Sequence, residues 1–377
     1  DAQKGWRWFA DEYSLGELTP IPQQPTYIVN PQRKIVPLPQ SSLFGIPSSP
    51  LGKDVVRAIG QGAALRAYLD RVKPVLTIGK AHHLGALVEN RMGDAVLSTL
   101  VEPLILERFG AEPSEIDVAV ALPGVNEAIT RTGSLSTAVL AQLPAFHERE
   151  QLVEFTNASD RTRMLIIEAL QYWNVDLSFR EPQSGDADDP ALAHRALVIS
   201  GDLEFGQRFI DLGQFGFTRA PSRLSVSVRV KTSAPIGLVT SSRDHAGTPW
   251  SVRVENDVDD LVRLQVIESR RLTNLRSNHS SQQEFSAIGF DELKLIVQAA
   301  LGNECEIAAE SINAKVVDAP WLTLEEVHAH QGILSALDSL GETKFVSDSL
   351  HAGDSSAAIM QARATTVALR RQLLGIS

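Results

Sequence analysis

A chain of 377 residues exceeds what one hydrophobic core commonly supports, and its 43% apolar residues are ample for folding, so more than one domain is expected. A formal net charge of -11 argues against a general nucleic-acid or anionic-membrane binder, because such proteins draw affinity from clustered Lys and Arg. The single cysteine, Cys305, excludes an intrachain disulfide and a cysteine-rich zinc site and fits a reducing, cytoplasmic compartment. No run of about 18 uncharged apolar residues offers a transmembrane segment. The chain starts at Asp1 rather than Met, which is compatible with removal of a targeting segment.

Residues 1–50 are expected to form an arm that either lies across its own domain as an ordered surface wrap, the plainer reading, or reaches a neighbouring subunit. Trp6, Trp8, Phe9 and Tyr13 are spaced so that a short helix puts most of them near one face. The prolines that follow, from Pro20 through Pro31 and Pro37 to Pro50, favour extended chain over helix or sheet interior. Residues 51–215 read as a Rossmann-like α/β domain. A helix over 53–72 precedes a strand at Val75-Leu76-Thr77-Ile78, and a long helix over 85–109 precedes the apolar run 116–122, of the kind a strand buried on both faces shows. Helices over 134–143 and 160–173 alternate with strands at 152–155, 175–179 and 196–200. Strands separated by helix-length segments predict right-handed crossovers and a mostly parallel sheet.

The pattern changes over 216–275. Leu224, Val226, Val228 and Val230 alternate with polar residues, as do Trp250, Val252 and Val254, and Val262, Leu264 and Val266, which predicts half-buried strands of an antiparallel module. Residues 276–377 read as mainly helical, with helices over 291–301, 324–340 and 356–374. Thr323 with Glu326 makes a capping-box pattern at the start of the second.

In open parallel sheets, ligands sit outside the carboxyl ends of the strands. That rule selects three loops. Residues 79–85 carry Lys80, His82 and His83; residues 123–134 carry Asn126 and Arg131; residues 156–163 carry Asn157, Ser159, Asp160 and Arg161 at a helix start. Helix-terminal amides and guanidinium groups favour phosphate or carboxylate there. Lys80, Asn126, Arg131, Asn157, Ser159 and Arg161 are therefore candidate ligand-binding residues, and His82 and Asp160 candidate proton-transfer groups. The plainer alternative is that Asn157 or Ser159 only caps a helix and the arginines are solvated.

Other constellations fail a motif test. Pro74 stands where a nucleotide-triphosphate loop ending in Gly79-Lys80 needs Gly. Gly60-Gln61-Gly62 follows a helix rather than a strand, and Leu65 occupies the third-glycine place of a dinucleotide fingerprint. His147 lacks a second His at helical spacing, and His328 and His330 fall on different helix faces, so no metal site and no particular cofactor is implied. Two functions are weighed on this basis. The first is a small anionic-ligand binding protein, either a binder alone or, if an enzyme, a transferase or hydrolase acting at the carboxyl edge of the sheet. The second is a structural subunit of a large assembly, a capsid or secretion complex, whose arm latches identical subunits into a homo-oligomer. Gly5-Trp6-Arg7-Trp8-Phe9 resembles the mature start of conjugative pilus-assembly proteins of the TraF type; the likeness is confined to this opening segment and carries no function over.

Overall fold

The computed structural model describes residues 4–20, 24–74, 82–150, 153–155, 159–176, 196–201, 205–206, 209–210, 222–256, 262–268, 289–302, 305–307, 311–351 and 354–376. They form mixed helix and sheet in two compact units interleaved along the chain. One comprises Asp1–Gln23, His147–Ala220 and His328–Ser377, and the other Gln24–Phe146 and Pro221–Val327. The terminal unit and the sheet unit are convenient names for them.

The terminal unit opens with α1 (Lys4–Glu12) and β1 (Leu18–Pro20). In the sheet unit, two hairpins follow, β2 (Tyr27–Val29) with β3 (Ile35–Pro37) and β4 (Ser42–Leu43) with β5 (Ile46–Pro47). Prolines sit at strand ends here, where a missing amide hydrogen costs least. The second hairpin turns at Phe44 and Gly45, both with positive φ, and a Cβ on Gly45 would lie 2.0 Å from the Leu100 carbonyl oxygen, so only glycine fits.

A helical layer follows: α2 (Lys53–Ile59), α3 (Gln61–Tyr68), a 3-10 turn Leu69–Val72, α4 (Leu84–Met92), α5 (Asp94–Val96), a π turn Leu97–Val101, α6 (Glu102–Phe109), α7 (Val118–Ala121), α8 (Val125–Thr132) and α9 (Leu135–Glu150). The long helices expected over 53–72 and 85–109 are broken at Gly60 (φ 85°) and Gly93 (φ 95°). The strand expected at 116–122 is instead the short helix α7, entered from an extended Asp117 and followed by the left-handed Gly124. Four apolar residues are too few for periodicity to separate strand from helix. The strand expected at 75–78 lies outside the described residues.

The antiparallel sheet matches its expectation. β8 (Ser222–Lys231), β9 (Val239–Arg243), β10 (Pro249–Asn256) and β11 (Val262–Glu268) pair in the order β9-β10-β11-β8, and β12 (Glu306–Ile307) and β13 (Asn313–Asp318) both pair with β8. Val226, Val228, Val252, Val254, Leu264 and Val266 are buried together with Leu293, Ile296 and Val297 of α11 (Phe290–Leu301). Each such aliphatic side chain contributes roughly 1.5–3 kcal/mol on full burial. The opposite face is polar: Arg253 pairs with Glu107 of α6, Gln265 donates to Ser225, and Arg223 donates to the Glu107 carbonyl at 3.4 Å. Burial first, then the neighbouring Arg108, pushes the Arg223 pKa down to about 10, so it stays charged at neutral pH.

The mostly parallel sheet is corrected. The terminal unit also holds β6 (Val153–Phe155), α10 (Ser159–Tyr172), β7 (Leu197–Ser200), most of α12 (Leu324–Asp338), β14 (Thr343–Val346) and α13 (Ser355–Leu374). β6 pairs antiparallel with β1, and among the described strands only β7 and β14 run parallel. Val175 and Asp176 lie in no strand, and 177–179 lie outside the described residues. The expected arm is part of the fold: α1 packs on α13 of the same chain, where Gly5 donates to Ser356 Oγ at 3.0 Å and Arg363 stacks over Trp8. A Cβ on Gly5 would lie 2.0 Å from the Ser356 carbonyl oxygen, so this crossing depends on its absence. Among the described residues, no helix is long and apolar enough to cross a membrane.

Candidate functional site

The terminal unit contains a strand-to-helix turn of the type that binds ligands in parallel sheets. β14 runs parallel to β7, passes through Ser347 and the 3-10 turn Ser349–His351, and leads to the twenty-residue α13. Asp354 caps that helix, its Oδ1 accepting the Ala357 amide at 3.0 Å. The next two residues are occupied by α1, since Trp6 Nε1 donates to Ser355 Oγ at 3.2 Å and Gly5 to Ser356 Oγ. His330 of α12 is buried and its Nε2 donates to the Leu350 carbonyl, fixing the turn from below. Burial, opposed by that hydrogen bond and reinforced by His351, lowers its pKa, so His330 is neutral at pH 7. A cleft of about 590 Å³ beside α1 is lined by Arg7, Asp11, Ser14 and Glu17 among others.

In the sheet unit, Pro74 and His82, on either side of residues 75–81, are both anchored. Asp70 is fully buried; its Oδ1 accepts from Arg91 Nη1 at 3.1 Å and its Oδ2 from the Ser136 amide at 2.9 Å. Arg91 Nη2 then donates to the Pro74 carbonyl at 3.3 Å. On the other side, the Val118 amide donates to the His82 carbonyl at 2.8 Å, and Leu84 to that of Ile116 at 2.8 Å. This brings His83 Nδ1 to 3.6 Å from Asp117 Oδ1, with the imidazole half exposed. Asp117 Oδ2 accepts the Leu324 amide at 2.8 Å, which orients the carboxylate. An accessible imidazole beside an oriented carboxylate can hold and pass a proton.

Of the candidate residues read from the sequence, the structure places His82, Asn126 and Arg131 in the sheet unit. His82 is exposed beside the His83–Asp117 pair. Asn126 and Arg131 lie at opposite ends of α8, and the Asn126 Oδ1 is buried without a hydrogen-bond partner. Ser159, Asp160 and Arg161 form the first turn of α10 in the terminal unit, their side chains outside the described set; Lys80 and Asn157 lie outside the described residues. The His83–Asp117 pair escaped sequence reasoning because Asp117 sat inside an apolar run taken as a strand. The adjacent histidines were the one available signal.

Comparison with protein-family models and with curated proteins gives no match. Solved structures do resemble the chain. A protein from Exiguobacterium sp. 255-15, provisionally named a protoporphyrinogen oxidase, aligns with a TM-score of 0.60 at 14% identity, covering 96% of this chain and 84% of that one. A reduced UDP-galactopyranose mutase aligns with a TM-score of 0.51 at 10% identity, covering 99% of this chain and 83% of that one. The likeness is one of fold. It overturns both functions weighed above: the transferase or hydrolase acting on a small anion, and the assembly subunit with a latching arm.

Proposed function

We propose that this chain is the scaffold of an oxidoreductase acting on an organic substrate, with a porphyrinogen as the first substrate to test. The observation that carries the reading is the fold likeness over 96% of the chain to the Exiguobacterium protein. The second neighbour is a mutase solved in a reduced form. A flavin is the group we propose for such chemistry, and β7, β14 and α13 are the part we read as Rossmann-like.

The described residues fit a flavin dinucleotide only in part. A dinucleotide pyrophosphate rests on a glycine-rich turn between strand and helix. Here Gly60-Gln61-Gly62 joins two helices, α2 and α3. The turn from β14 into α13 offers a helix N-terminus, but its Ser355 and Ser356 hydroxyls are bonded to α1. No step is therefore routed through a dinucleotide. The residues we read as able to act on a substrate proton are His83 with Asp117, and His82 beside them, with Asp160 a separate candidate for the same role; Lys80, Asn126, Arg131, Asn157, Ser159 and Arg161 stay as candidates for contact. Binding is the first test. Titration of the purified chain with protoporphyrin should quench tryptophan fluorescence saturably, and His83→Ala should leave that binding intact. Absence of saturable quenching would remove the porphyrinogen from the reading.

A further inference from the structure

The net charge of -11 hides a local reversal. Residues 51–74 carry Lys53, Arg57, Arg66, Arg71 and Lys73 against Asp54 and Asp70, and Asp70 is buried on Arg91. Along α3 and the 3-10 turn that continues it, Leu65 is 56% exposed, Tyr68 37%, Leu69 46% and Val72 75%. Their spacing of three, four and seven residues places them in one ridge, because side chains three or four apart share a helix face and those three apart eclipse in a 3-10 turn. Ala64, Ala67 and Asp70 fill the buried face. An apolar ridge of this kind on a helix that already has a core-facing side asks for a partner.

The ridge is held firmly. Arg66 Nη1 donates to the Arg91 carbonyl and Nη2 to the Asn90 carbonyl, both at 3.0 Å, and Lys73 reaches the same Asn90 carbonyl, so two cations sit at the carboxyl end of α4 where its dipole favours them. Arg71 lies over the Tyr68 ring at 5.3 Å and brings its charge to the edge of the ridge. Leucine and valine at the crest, a tyrosine at the border and cations along the flank are the pattern of a helix that lies in a membrane surface rather than across it.

We propose that α3 and its 3-10 extension rest on an anionic lipid surface, with Leu65, Leu69 and Val72 in the acyl boundary and Arg71 and Lys73 at the headgroups. The proposal stands independently of the redox reading. Anionic lipid is chosen over a second copy of the chain because the basic flank is complementary to acidic headgroups, whereas a second copy would bring the same basic flank against it.

The test is flotation of the full-length chain with phosphatidylglycerol vesicles and, separately, phosphatidylcholine vesicles. Binding to the first, weaker binding to the second and release by salt are expected. The double variant Leu69→Glu/Val72→Glu should partition at least about tenfold less, and Arg57→Gln/Arg71→Gln several-fold less, on exposed positions that leave the circular dichroism unchanged. Failure of the chain to float with phosphatidylglycerol, or undiminished flotation of Leu69→Glu/Val72→Glu, overturns the proposal. A solution dimer dispersed by Leu69→Glu/Val72→Glu, without vesicle binding, overturns it in favour of a second copy.

Discussion

The sheet unit and the terminal unit dispose of their polar groups differently. In the sheet unit, charged side chains are consumed by structure: Asp70 pairs with Arg91 beside one broad apolar core, and Glu107 of α6 pairs with Arg253 on the polar face of the sheet, whose other face packs a second core. In the terminal unit, the described core is small, formed by Ile199, Ile210, Leu337, Phe345 and Leu350, and β14 is followed by a 3-10 turn ahead of the capped α13. A large core can hold neighbours such as His83 and Asp117 in a fixed arrangement; a small one leaves more of its loops and helix ends free to move.

The largest expected effect belongs to the sheet unit. Asp70→Ala would leave Arg91 charged and buried without its carboxylate, a loss of about 3–5 kcal/mol seen as a lower denaturation midpoint. A change below 1 kcal/mol would mean that Arg91 finds water, and the buried network would not be structural. Phe345→Ala should cost about 3 kcal/mol in the terminal unit. Amide exchange should quicken in β7 and β14 while β8, β10 and β11 keep their protection. Simultaneous loss in both units would erase the contrast drawn between them.

Smaller effects sharpen it. In α12, Thr323 Oγ1 accepts the Glu326 amide at 3.1 Å, while the Glu326 carboxylate accepts the Leu322 amide at 2.7 Å and the Thr323 amide at 3.3 Å. Thr323→Ala should cost about 1 kcal/mol by thermal melting. His330 gives the pH dependence. Burial lowers its folded pKa beneath the ordinary value of 6.5, so the unfolded chain binds its proton more readily. Its contribution is complete above about pH 6.5 and is lost as pH falls toward the lowered folded value. His330→Gln should flatten that acid limb of the stability profile, and an unchanged limb would assign it to other groups.

How much of this was legible follows from the length of the signals. The alternation of Val226, Val228, Val252, Val254, Leu264 and Val266 announced half-buried strands, and these strands form. Thr323 and Glu326 announced a helix start, which the capping box makes. The apolar run at 116–122 misled because a buried helical turn and a buried strand look alike over so few residues, and with it went Asp117 as the partner of His83. The parallel pairing of Leu197–Ser200 with Thr343–Val346 joins segments far apart in sequence, which local periodicity cannot register.

The measurement that tests the central claim most directly is turnover. The full-length chain, supplied with flavin and with dissolved oxygen as terminal electron acceptor, is mixed with protoporphyrinogen, and porphyrin fluorescence is followed against an otherwise identical protein-free mixture. The oxidoreductase account predicts saturable, protein-dependent formation of porphyrin that slows in His83→Ala. A rate indistinguishable from the protein-free mixture would contradict it.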